Sequence, residues 1–453
     1  MKTIVEQPAS DVRQPASGSA SGREVEDTIA RHRELMFPWV KPYYAEPLVL
    51  REGHGVRVRD ARGDEYLDFF AGILTTSVGH CHPRVVAAMA TQARRLGHTS
   101  SLYVTEQQVR VAEQLLAIMP VGLDRFAFTN SGTEAIETAI MAACQVTGRS
   151  EVIALRYGYS GRSTLATNLT GHAGWRPLPS TVAGVHHARA PYVYRSPLGS
   201  DAPSEAQVDF FIGDLIETIE TTTNGKPAAL LVETILGVGG FLVPPPGYLR
   251  RAAEVIRSYG GLYIADEVQT GFGRTGGHWF GIQHDDVAPD LMVMAKGIAN
   301  GAPVGATAAR AEIADAWRAS SISTFGGNPV SMAAASATLE ILVEEDAPAR
   351  AAERGAQLRA GLDAIAARHD WIGDVRGKGL MQALEIVADR DKRAPDAPRA
   401  RALLEAARTE RVLIGLGGLK GNVIRMGPSL LITPAEVDEA LEKLARACAR
   451  VEA

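Results

Sequence analysis

The stretch from Ala228 to Asp266 reads AALLVETILGVGGFLVPPPGYLRRAAEVIRSYGGLYIAD. Ala228 to Val232 is a compact apolar run of strand length. After Pro244-Pro245-Pro246, residues Leu249, Ala252, Ala253 and Ile256 fall at offsets of three, four and seven, the spacing of one helix face. Gly260-Gly261 stops that helix, and Leu262 to Ala265 is again a short apolar run. Strand, helix, strand of this length is a βαβ unit. It implies parallel pairing and a right-handed crossover, the only sense in which a right-twisted strand packs its helix back onto the sheet.

The same alternation recurs on both sides. Arg125 to Phe128 followed by Ser131 to Gly148 is a strand-to-helix step, and Leu291 to Ala295 is a third strand that ends at Lys296. The pattern predicts an α/β fold with a mostly parallel central sheet flanked by helices on both faces. Ligands of such sheets gather at the carboxyl ends of the strands. At 453 residues the chain exceeds one ordinary compact domain, so a large domain with a smaller companion is expected. Residues 341–453 are Ala/Arg/Glu-heavy and helix-rich until Gly415-Leu416-Gly417-Gly418, and read as a separate C-terminal lobe. No repeat of fixed period is visible, which argues against a solenoid or propeller.

Composition narrows the function classes. Net charge is −5 with no long basic run, so neither nucleic acid nor an anionic membrane is an expected partner. No apolar stretch reaches the roughly 20 residues that span a bilayer. Cys81, Cys144 and Cys448 are far apart and odd in number, which fits a reducing compartment rather than a disulfide framework. Residues 1–23, rich in Pro, Ala, Ser and Gly, read as a disordered tail without the apolar core of a signal peptide. Glu6 and Asp11 speak against a transit peptide, and a cytoplasmic enzyme is the expectation.

Three polar groups follow strand ends. Ser131-Gly132-Thr133-Glu134 has the Ser/Glu spacing of a capping box, and the helix N-terminus behind it is a ready anion site. Ile264-Ala265-Asp266-Glu267-Val268-Gln269 puts two carboxylates after a buried strand. One of them could keep a heterocyclic nitrogen protonated, with Gln269 donating to a phenolate oxygen. Thr270-Gly271-Phe272-Gly273-Arg274-Thr275-Gly276 could cradle a phosphate, although no dinucleotide fingerprint is present. Lys296 follows Met292-Val293-Met294-Ala295, and a lysine desolvated there becomes an amine nucleophile able to form an imine. Each feature alone reads as a cap, a surface turn or a strand exit. Together they are the three parts a pyridoxal 5′-phosphate (PLP) enzyme needs: a phosphate anchor, a carboxylate for the ring and an amine for the aldehyde. His80 and His82 around Cys81 read as a turn entering a helix, not as metal ligands, and no metal site is expected.

Several stretches resemble the class III aminotransferases of PLP fold type I. They are Asn130-Ser131-Gly132-Thr133-Glu134-Ala135, Ala265 to Gly276, Ala295-Lys296-Gly297 and Ser323-Thr324-Phe325-Gly326-Gly327-Asn328-Pro329, with Gly79-His80-Cys81-His82-Pro83 and Gly377-Lys378-Gly379-Leu380-Met381 in support. The resemblance covers about residues 40–445, and an alanine–glyoxylate aminotransferase 2-like subgroup is the nearest within it. It implies residues 80–340 as the large PLP-binding domain, with 24–79 joining 341–453 in a smaller α+β domain. It further implies Lys296 as the Schiff-base lysine and proton shuttle, and Asp266 as partner of the pyridine nitrogen. Val268 would pack on the ring and Gln269 reach its phenolate oxygen, with Tyr159 over the cofactor. Ser131, Gly132 and Thr133 would hold the phosphate, and Thr324 the phosphate of a neighbouring subunit, so a homodimer follows. On the substrate side the resemblance implies Arg425 for an α-carboxylate, Arg162 for a distal one, and Glu233 as the group that neutralises Arg425 when an ω-amino substrate binds. The implied reaction moves an amino group from a small amino acid to an oxo acid such as pyruvate or glyoxylate; elimination or racemisation is the alternative. This chain reads Glu233-Thr234-Ile235-Leu236 where relatives commonly have Glu-Pro-Ile-Gln, and Tyr159-Ser160-Gly161 where many have Tyr-His-Gly. Both departures, Ser160 included, fall on the substrate side.

Overall fold

The computed structural model describes residues 20–39 and 41–452. A seven-stranded sheet forms its centre, in the order Arg125–Thr129, Gly305–Ala309, Leu291–Met294, Leu262–Asp266, Ala229–Glu233, Val152–Leu155, Val185–Ala188. All neighbours pair in parallel except around Gly305–Ala309, which runs antiparallel to both strands beside it. The predicted βαβ unit is present: Ala229–Glu233, helix Tyr248–Ser258, then Leu262–Asp266, with Val232 opposite Ala265 and Glu233 opposite Asp266.

Both faces of the sheet are covered, and strand side chains alternate between them. Val152, Ala154, Leu231, Ile264 and Val293 pack with Ala135, Ile136, Ala139 and Ile140 of helix Gly132–Thr147. Ile153, Leu230, Val232, Tyr263, Ala265 and Met292 face the other way, towards Leu249, Ala252, Ala253 and Ile256. The inner strands are therefore apolar on both faces up to their carboxyl ends, the signature of a sheet buried on both sides. Each fully buried Val, Leu or Ile contributes about 1.5–3 kcal/mol.

Of two smaller sheets, one joins the chain's distant ends. The antiparallel strands Leu50–His54, Arg57–Asp60 and Glu65–Asp68 are extended by Val412–Leu413, where Val412 pairs in parallel with Leu67. Ile372–Lys378, Met381–Ile386, Val423–Met426 and Gly415–Gly417 form an antiparallel sheet, so the segment after residue 340 carries strands that its helical composition masked. The proposed tail ends earlier than residue 23. Ser21 caps helix Gly22–Leu35, with Glu24 closing a capping box, while residues 1–19 lie outside the described residues. His82 precedes helix Pro83–Arg95, whose Pro83 presets the first turn, and His80 Nε2 contacts Asp68 Oδ2 at 2.8 Å. Among the described residues no cluster could hold a metal ion.

Candidate active site

The carboxyl ends of five strands converge on one cavity of about 300 Å³. Arg125–Thr129 leads into Ser131, Gly132 and Thr133; Val152–Leu155 leads towards Tyr159 and Ser160. Ala229–Glu233 ends on Glu233, Leu262–Asp266 ends on Asp266 with Val268 and Gln269 after it, and Leu291–Met294 leads to Lys296. All ten of these side chains or backbones line the cavity. Asp266 and Lys296 thus meet because their strands are hydrogen-bonded neighbours, with Asp266 opposite Val293.

Lys296 sits in the left-handed region at φ 47°, unusual for a residue with a Cβ, and starts a short 3-10 turn through Ala299. Such strain costs about 1–3 kcal/mol and persists where surrounding packing fixes it. Burial lowers the lysine pKa; Asp266 and Glu233 oppose that shift and Arg425 adds to it. The carboxyl of Asp266, 4% exposed, is pushed up to about 8 by burial first and by the nearby Glu233 charge second. The Val268 N–H, donating to Asp266 Oδ1 at 2.9 Å, works the other way. A buried carboxylate without a fixed cation and a buried amine each favour their neutral form. Glu267 points away into the protein, accepting from Thr234 Oγ1 and from the N–H groups of Gly281 and Ile282 at 2.7–3.0 Å, which pins the loop behind the strand.

The anion end is built by helix Gly132–Thr147. Ser131 Oγ accepts from Glu134 N at 3.2 Å as the N-cap. The expected capping box is shifted by one residue: the Glu134 carboxylate accepts from Asn130 N at 2.7 Å rather than from Ser131. That leaves the N–H groups of Gly132 and Thr133 and the Ser131 hydroxyl proton free to meet an anion. Backbone closeness needs glycine here, because a Cβ on Gly305 would lie 2.2 Å from the Ser131 carbonyl oxygen.

The loop Thr270–Gly276 does not form the phosphate cradle read from its glycines. It lies outside the cavity lining, and the buried Arg274 donates to the carbonyls of Leu380 and Pro428, tying the loop to the C-terminal half. Glycine content signals tight backbone, and here the tight approach is to protein: a Cβ on Gly276 would meet Ala352 at 2.8 Å.

On the substrate side Glu233 is held by two N–H donors, Tyr159 N to Oε1 and Gly237 N to Oε2, both at 2.7 Å, while burial raises its pKa. Arg425, 4% exposed, donates to the carbonyls of Gly237 at 3.1 Å and Leu416 at 2.9 Å, and its Nε has no partner. Neither residue is locked in an ion pair among the described residues; Gly237 bridges them, its N–H bound to Glu233 and its carbonyl to Arg425. Ser160 is buried, its N–H donating to Thr170 Oγ1 at 3.0 Å. Arg162 stands outside the cavity lining, its guanidinium 3.7 Å from the centroid of Trp39. Thr324 is exposed and takes no part in this chain's cavity. Sequence reading missed Trp39, Tyr43 and Thr170: the first two lie in an irregular N-terminal segment, and nothing in their spacing marks them. Thr75 and the run Gly301-Ala302-Pro303-Val304 complete the cavity wall and were also missed.

The chain belongs to the class III aminotransferases, whose family pattern matches residues 40–448. Enzymes of this family are PLP-dependent transaminases, and this chain is one. It is 38% identical to the Arabidopsis thaliana protein named alanine–glyoxylate aminotransferase 2 homolog 2, mitochondrial, over 94% of this chain and 87% of that one. A thermostable (S)-enantioselective omega-transaminase from Thermomicrobium roseum superposes with a TM-score of 0.87 at 34% identity, covering 94% of this chain and 98% of that one. A phospholyase from Arthrobacter, solved in complex with phosphoethanolamine, shares the fold with a TM-score of 0.87 at 33% identity over 93% of this chain and 99% of that one. Family and curated relatives name amino-group transfer, so the elimination and racemisation alternatives are not favoured.

Proposed function

We propose that PLP is carried on Lys296 in this cavity and that the enzyme passes an amino group from a small α- or ω-amino acid to an oxo acid such as pyruvate or glyoxylate. The meeting of the Lys296 amine, the Asp266 carboxylate and one helix N-terminus in a single cavity carries this reading. The residues fit the group. Gln269 Oε1 is buried without a partner, and an amide turned over at that spot presents an N–H to a phenolate oxygen. Ser131, Gly132 and Thr133 would hold the phosphate dianion, and Val268 and Tyr159 would enclose the ring. Asp266 would pair with the ring nitrogen, whose positive charge reverses the electrostatics that raise its pKa.

The chemistry such a cofactor supplies when bound is an electron sink for the pair left as the donor's Cα–H bond breaks. Lys296 Nζ, whose pKa burial lowers, takes and returns that proton. Arg425 offers a guanidinium fork for a carboxylate, matched in two parallel hydrogen bonds. Glu233, bound to backbone N–H groups, is placed to answer Arg425 through Gly237 when no α-carboxylate is present. Half-reactions with L-alanine, L-glutamate, β-alanine and 4-aminobutyrate test the donor range; reaction with α-amino acids alone would remove the ω-amino part.

The assembly proposed is a homodimer in which Thr324 reaches the partner's phosphate. Around Thr324 lie Ile322 (62% exposed) and Phe325 (59%), and beside them Leu102 (70%), Tyr103 (67%) and Val104 (92%), with Ser323 N bonded to Ser101. An apolar patch of that kind on a soluble protein marks a contact surface.

A further inference from the structure

The loop Gly237-Val238-Gly239-Gly240 follows the strand Ala229–Glu233 and is closed at its base, where Leu236 bridges Leu242. Three of its carbonyls are held from the C-terminal half. Gly237 O accepts from Arg425 Nη1 at 3.1 Å, Val238 O from Gly418 N at 2.9 Å, and Gly240 O from Arg376 Nε at 2.8 Å. Arg376, Ala383 and Arg425 stand in one row across three neighbouring strands, Arg376 opposite Ala383 and Ala383 opposite Arg425. The two arginines therefore leave the same face of that sheet and grip the two ends of the loop, with only the Ala383 methyl between them in the row. The loop also touches the cofactor side of the cavity, since a Cβ on Gly237 would lie 2.2 Å from Gln269 Nε2.

Arg376 is itself fixed. Its Nη1 donates to Glu385 Oε2 at 2.7 Å and to Asp374 Oδ2 at 2.8 Å. Glu385 is completely buried and is met from the segment after strand Val185–Ala188 by the Tyr192 hydroxyl and by Arg195 Nε, the latter at 2.7 Å. A buried ion pair is weak evidence for stability, because the cost of taking its charges out of water offsets much of their attraction. What this cluster does fix is direction: it aims the Arg376 Nε–H at a single carbonyl. Gly237 O, the acceptor of Arg425, also accepts from Gly240 N at 3.1 Å, so a shift at Gly240 passes directly to the partner of Arg425. We propose that Arg376 is a positioning residue of the carboxylate site: by holding the Gly240 carbonyl it fixes the loop whose Gly237 carbonyl orients the Arg425 guanidinium. The proposal rests on the reading of Arg425 as the group that takes the substrate's α-carboxylate.

Ligand-observed NMR titration of the cofactor-loaded full chain tests it without turnover. Propionate is L-alanine without its amino group, and propanamide has the same shape without the charge. Wild type binds propionate more tightly than propanamide, and Arg425→Ala removes that preference. Arg376→Met, which keeps an unbranched side chain and loses the donors, lowers the preference about fivefold or more with propanamide binding unchanged. Arg376→Lys, which restores a donor and the charge facing Glu385, recovers part of the loss. Should Arg376→Met not fold, Arg376→Lys decides alone, a preference about twofold or more below wild type supporting the proposal. A wild-type preference retained in the Arg376 variants would overturn it, as would a parallel loss of both ligands that tracks a falling melting temperature. No preference in wild type, or one that survives Arg425→Ala, is a different pattern: there the reading of Arg425 fails and the proposal goes with it.

Discussion

Lys296 is the residue where strain, burial and chemistry coincide, so its replacement is the sharpest single-residue test. Lys296→Ala is expected to lose the visible absorbance of lysine-bound cofactor and to lower the transfer rate by about 10²–10⁴-fold, measured by spectroscopy and steady-state assay. Asp266 gives a pH signature in the cofactor-free chain. Folded, it keeps its proton up to about 8; unfolded, it releases it near 3.8. The folded state therefore binds more protons across that window, and the stability this group contributes falls as pH rises through it. Asparagine does not titrate. Apo Asp266→Asn accordingly melts close to wild type at about pH 3.5 and above it by about 2 °C or more at pH 8.5. Lys296, Asp266 and Ser131 to Thr133 were legible because each follows an apolar strand, and a strand's end fixes where its next residue points. Trp39 was not, since its contact crosses more than a hundred residues to Arg162 from a segment without periodicity.

At the scale of elements, the βαβ unit from Ala229 to Asp266 followed directly from its spacing, including the buried face of helix Tyr248–Ser258. Truncating Leu249, 4% exposed on that face, is expected to cost about 2–5 kcal/mol in denaturant unfolding while leaving the cavity chemistry intact. The reversed strand Gly305–Ala309 was not foreseen. Its sequence, Gly-Ala-Thr-Ala-Ala, lacks the branched residues that announce a strand, and it is held by neighbours on both sides rather than by its own propensity. That smallness has a use: Gly305 lets the Ser131 backbone approach. Gly305→Ala should shift the phosphate loop and speed cofactor loss about tenfold, read by gel filtration and absorbance, against an overpacking cost of about 1–3 kcal/mol. The glycines of Thr270–Gly276 misled for a related reason, because close backbone approach to protein and to phosphate demand the same residue.

For the whole molecule, the C-terminal antiparallel sheet brings Arg425 to the Gly237 carbonyl, in the loop after the central strand Ala229–Glu233. The exposed apolar surface around Thr324 predicts a particle of twice the chain mass in light scattering. Val104→Glu should shift it to monomer and loosen the cofactor. The most direct test of the account is a single turnover. Cofactor-loaded enzyme mixed with L-alanine and no oxo acid should release one pyruvate per site, retain the amine on the protein, and give it up only when glyoxylate is added. Free ammonia released in step with pyruvate, or the same yield from Lys296→Ala, would contradict it.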